Sequence, residues 1–196
     1  MDPGKADVTT PVHSVCDNPD MRLVNVWLDL REFATAVNLA HQTQRKLSPG
    51  LFQEALISVQ YRLQHLSYDG QDRHEILRAT MLAASMTIFL EIRSIPVQYQ
   101  HLARQLRAML RSLKSHAHGE WLRLNLWFIF VGRVSVLDTP EDCLWLREQM
   151  LITSRALELK SWGGVRQTLK SFIWIDVAND KAGKRFFDDA TKHALA

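Results

Sequence analysis

EWLRLNLWFIFVGRVSVL, residues 120–137, is the stretch on which the fold turns. Leu124 to Gly132 is an uncharged run, too short for the roughly 20 residues that cross a bilayer, so it belongs in a protein core. Its length and aromatic content suit a buried helix or a buried strand. We read it as helix. Nowhere does the chain show period-two alternation flanked by hairpin turns, and no period of 20 to 50 residues repeats.

Outward from it the helical signals are plainer. Thr139-Pro140-Glu141-Asp142 combines a capping Thr, a Pro at the first helical position and acids near the positive end of the helix dipole, and predicts a helix to about residue 160. Ser161 precedes Trp162 and two glycines and opens another, with Val165, Leu169, Phe172 and Ile173 on one face; a last helix starts near Asn179. Upstream, Tyr99, Leu102, Ala103, Leu106, Met109, Leu110 and Leu113 form the apolar stripe of a helix starting near Val97. Before it, a helix from about Gln71 runs through LRATMLAASMTIFLEI (77–92), which lacks a polar side and should be central, and stops at Ser94-Ile95-Pro96. Ser48-Pro49 starts a helix to about Leu66. From Arg22 to Lys46, Leu23, Val26, Trp27, Leu30, Phe33, Ala34, Val37 and Ala40 recur at steps of three and four. The expected architecture is all-α, an irregular multi-helix bundle forming one domain over residues 21–196 behind a flexible, Pro-containing leader at residues 1–20.

The totals agree with a folded domain. The chain has 196 residues, 46% hydrophobic and 23% charged, with a formal net charge of only +3, which names no polyanion partner. Cys16 and Cys143 are too few and too far apart for a disulfide framework or a metal site, which suits a reducing compartment. The first residues carry Asp, Pro and His in place of the charged lead and apolar stretch of a signal peptide, so secretion is not expected. Neither uncharged run, 79–90 or 124–132, implies a membrane span.

Candidate chemistry is sparse. His116, His118 and Glu120 offer two nitrogens and an oxygen without a fourth ligand, so a solvated loop is the better reading and no metal or other cofactor is expected. Asp176 and Asp180 flank a helix start, where capping explains them without acid–base work. Gly-x-Ser-x-Gly and Gly-rich phosphate loops are absent, and no catalytic residue is expected. Opposite the apolar stripe of the helix near 99–113, Arg104, Arg107, Arg111 and Lys114 form a basic face that an acidic partner or phosphates would meet. Of six tryptophans, Trp27, Trp127 and Trp145 sit among apolar neighbours, whereas Trp121, Trp162 and Trp174 lie nearer helix ends, where a wet edge is available.

Three phrases, FLEIRSIPVQYQHLARQLRAML, WLRLNLWFIFVGRVSV and SWGGVRQTLKSFIWIDVANDKAGKRFFDDA, carry a family resemblance. From about residue 75 to the end the chain resembles the helical regulatory region of fungal zinc-cluster transcription factors, most specifically at Ser161, Trp162, Phe172, Trp174 and Asp176. The resemblance implies a transcription-regulating, nuclear protein without catalytic residues. The binuclear cluster of that family needs six cysteines and this sequence has two, so direct DNA reading is not expected. The leading expectation is a regulator acting through a protein partner, a homo-oligomer or a small effector. The rival readings are a ligand-binding helical protein or enzyme with a cavity between helices, and a structural partner in a complex.

Overall fold

In the computed structural model the deciding stretch is helix. The structure describes residues 13, 16, 18–69, 72–93, 99–113 and 119–193. Among these, eight helices and no strand form: α1 Met21–Gln42, α2 Pro49–His65, α3 Arg73–Arg93, α4 Gln100–Ser112, α5 Glu120–Ser135, α6 Pro140–Ala156, α7 Trp162–Lys170 and α8 Asp176–His193. The chain is therefore all-α.

The uncharged run places α5 at the centre. Leu124 and every residue from Leu126 to Gly132 are buried, because α5 packs against α3, α4, α6, α7 and α8 and has no side left for water. The middle of α3 is central as expected, with Ala79, Met81 and Ala83 fully enclosed. Its first turns carry a buried ion pair, in which Arg78 donates to both oxygens of Glu75 and, through Nη1, to the carbonyl of Leu63. That third bond satisfies a donor that would otherwise be stranded in the core.

The caps expected at Thr139 and Ser161 form, Ser48 makes no side-chain cap bond, and Asp20 caps where none was expected. Thr139 accepts from the amide of Asp142, Ser161 from that of Gly164, and Asp20 from that of Arg22. Several boundaries differ from expectation: α4 starts at Gln100, three residues after Val97, and α6 ends at Ala156, four before residue 160. Helix α1 ends at Gln42, four residues early. Phe172 and Ile173 lie beyond the end of α7, and α8 starts three residues earlier than Asn179, at Asp176. Most of the expected leader lies outside the described residues, but the core reaches into it: Cys16 is buried, and Asp20 also accepts from the hydroxyl of Tyr68 at 2.9 Å.

Aromatic side chains tie the helices together. Trp27 of α1, Trp127 of α5 and Phe172 after α7 meet pairwise at 5.3, 6.3 and 6.1 Å between ring centroids. Phe130 touches Trp162, Trp174 and Phe186, which joins α5 to α7 and α8. Helix α8 approaches these rings at Gly183, where an added Cβ would stand 2.9 Å from atoms of both Trp162 and Trp174. Gly183→Ala gains roughly 1 kcal/mol of helix propensity but forces about 1–3 kcal/mol of overpacking. A net loss of about 1 kcal/mol is expected in chemical denaturation, and a stabilised variant would show that the two rings yield.

Candidate functional site

The expected basic face on α4 is taken apart by the fold. Arg107 is half-buried and donates through Nε and Nη2 to the two oxygens of Asp142, at 2.6 and 2.5 Å. Arg111 stands over the Trp145 ring, 5.4 Å from its centroid, so Trp145 is a half-buried platform and not the core residue expected. Arg104 is exposed and lines a cavity of about 440 Å³ with Tyr99, Arg107, Asp138 and Thr139. Lys114, His116 and His118 lie outside the described residues. Glu120 pairs with Arg123 one turn along α5. Helical spacing placed the arginines on one face correctly, but two of the three described ones are engaged within the molecule.

The residues that carry the family resemblance do come together, at the joint between α7 and α8. Ser161 caps α7, and Trp162 lies against Phe130 and Phe187. Trp174, expected at a wet edge, is 2% exposed, because its Nε1 finds an internal acceptor in Asp180 at 2.8 Å. Asn38 of α1 grips the joint from the other side, donating to the carbonyl of Trp174 and accepting from the amide of Asp176, both at 2.8 Å. Asp176 receives Arg166 at 2.8 Å and Lys170 at 2.7 Å, while Arg166 also reaches Asp180 at 2.8 Å. Most polar groups here are spent on neighbours, which makes the motif a structural clasp; the exception is Asp176 Oδ1, which is buried with no hydrogen-bond partner among the described residues. Asp176 and Asp180 are not set up as an acid–base pair, since both share the same arginine.

A surface with spare bonding capacity lies instead on α1 and α2. Met21, Leu28, Ile57 and Tyr61 are 58, 38, 50 and 63% exposed. By helical spacing Met21, Asn25, Leu28 and Glu32 share one stripe of α1, and Glu54, Ile57, Tyr61 and His65 share one of α2. The helices run antiparallel: Arg62 of α2 pairs with Asp29 of α1 at 2.6 Å, and Phe33 meets Phe52. Between them a groove of about 390 Å³ is lined by Arg22, Asn25, Val26, Tyr61, Arg62, His65 and Leu66. The sequence reading passed over this face because it followed only the stripe that builds the core; the signal was a second apolar series, 21, 28, 57 and 61, out of phase with it.

Among the described residues, no helix is long and apolar enough to cross a membrane. No family model, no curated protein and no solved structure matches the chain.

Proposed function

We propose that the protein is a regulator of the transcription-factor class, similar to the helical regulatory region of fungal zinc-cluster factors, that works by protein contact through the α1/α2 face. It performs no catalysis and does not read DNA itself; the nucleus follows from the same resemblance. The observation that supports this reading is the layout of that face. Its centre is apolar, at Leu28, Ile57 and Tyr61. One end carries His65 with Arg22 and Arg62, which are held by Asp20 at 2.7 Å and Asp29 at 2.6 Å, and the other carries Glu32 and Glu54, all of them at least partly exposed. Such a face is self-complementary: a two-fold axis through its centre sets the basic end of one copy on the acidic end of the other and covers both apolar centres. The first partner is therefore a second copy of this chain, and a full-length factor that keeps the same face would be captured in the same way.

Sedimentation of the purified chain across a concentration series tests this. The mass should rise from one chain to two, and Leu28→Glu with Tyr61→Glu should hold it at one while matching the melting curve of the intact protein at dilutions where that too is a single chain, since both side chains are exposed. A single-chain mass at every concentration, or dimers undisturbed by the pair of substitutions, removes the face. Tight binding to mixed duplex DNA with a steep salt slope removes the claim that the protein leaves DNA to others.

A further inference from the structure

The last turn of α5, the middle of α6 and residues 178–189 of α8 line a half-open cavity of about 510 Å³. Four cations line it from three helices: Arg133, Arg147, Lys181 and Arg185, with Asp189 the one acid. Asp189 lies 3.9 Å from Arg185, at the limit of an ion pair, and Arg185 is mostly in solvent. Arg133 is braced over the ring of Phe186, 5.9 Å from its centroid, a contact that fixes its direction without neutralising it. Among the described residues Arg133, Arg147 and Lys181 have no carboxylate within ion-pair distance. Val134, Ala178, Ala182 and Phe186 supply apolar wall.

We infer that this cavity binds a small phosphorylated molecule carrying two or more negative charges. Gathering four cations round one concavity with a single acid raises the energy of the empty protein, and elsewhere this chain pairs its arginines closely, as with Arg78, Arg107 and Arg166. The volume lies in the range of small-molecule sites and is too small for a folded partner. Three guanidiniums and an ammonium match phosphate oxygens, which guanidinium groups take in pairs, while the alanine and valine wall suits the organic part of the ligand. The site is independent of the self-association face, since it uses other helices. If both hold, it is the input and the α1/α2 face the output.

The shared chemistry, a cluster of phosphate charges, is met by a phosphorylated metabolite or by inorganic polyphosphate. Calorimetric titration with ATP and, separately, with tripolyphosphate tells them apart, and a melting curve with each probe at a hundred times its dissociation constant gives a second reading. Saturable one-to-one binding is expected, with a rise in melting temperature of about 5 °C or more. Arg147→Gln and Lys181→Gln should each weaken binding at least tenfold while leaving the free protein as stable or slightly more so, because each relieves repulsion among the cations. Arg45→Gln, an exposed cation outside the cavity, should leave binding unchanged. Tighter binding of ATP assigns the site to a metabolite, and equal binding to the phosphate chain alone. No saturation by millimolar probe, or saturation indifferent to both cavity substitutions, overturns the inference; so does duplex DNA that displaces the probe and depends on the same residues, which would make the cavity part of a polyanion track.

Discussion

Trp127→Ala is expected to cost about 4 kcal/mol of folding free energy, the upper range for a large buried side chain. Against a total of about 5–15 kcal/mol for a domain this brings the protein close to unfolding. The indole is fully enclosed, touches Trp27, Phe128 and Phe172, and donates from Nε1 to the carbonyl of Ile173 at 2.7 Å. The substitution therefore opens a cavity at the junction of α1, α5 and α7 and strands a buried acceptor as well. Phenylalanine at the two neighbouring tryptophans separates the terms. Trp127→Phe keeps most of the volume but orphans the Ile173 carbonyl, whereas Trp27→Phe deletes an indole N–H that is buried and has no acceptor among the described residues. Trp127→Phe should be the more damaging by about 1–3 kcal/mol, the range for a buried polar group left unpaired. Equal losses in urea denaturation would mean that the carbonyl finds another donor.

That contrast marks where sequence reading works and where it stops. Trp27 and Trp127 were expected inside because their neighbours are apolar, and their burial follows from composition over a few residues, although Trp145, read the same way, is only half-buried. So do the starts of α2 and α6, each written in a Ser-Pro or Thr-Pro pair. Trp174 was misjudged because its partner, Asp180, sits across a turn whose geometry one-dimensional spacing does not describe. Arg107 was read as outer surface because helical spacing sets it opposite the apolar stripe of α4; its partner Asp142 is 35 positions away on another helix. The α5/α6/α8 cavity failed for the same reason, since Arg133, Arg147 and Lys181 are unremarkable on their own helices and become a site only when three helices meet. Long-range pairing is what periodicity leaves out. It decided whether each basic residue here is a scaffold element or a free binding group.

The Arg107–Asp142 pair turns that point into an expected pH response. The Asp142 side chain is 1% exposed, while that of Arg107 is 27% exposed. Hydrogen bonds from Arg107, helped by one from Thr139 and opposed by burial, hold the Asp142 carboxyl below its ordinary range. A carboxyl lowered in the folded state stabilises the fold above its unfolded pKa of about 3.9, and that contribution is lost as pH falls through the lower folded value. The intact protein should thus lose stability below about pH 4. In Arg107→Met the buried carboxylate keeps only the Thr139 hydrogen bond and the weaker pull of Arg111, so desolvation, no longer offset by Arg107, raises its pKa above the unfolded value and the sign reverses. Stability of that variant, about 2–4 kcal/mol lower at pH 7, should recover as acid neutralises the carboxylate, in the same window where the intact protein begins to weaken. Asp142→Asn should cost less, because the stranded Arg107 can turn toward water. Parallel pH profiles for the intact protein and Arg107→Met would show that Asp142 reaches solvent or a second cation once the arginine is gone.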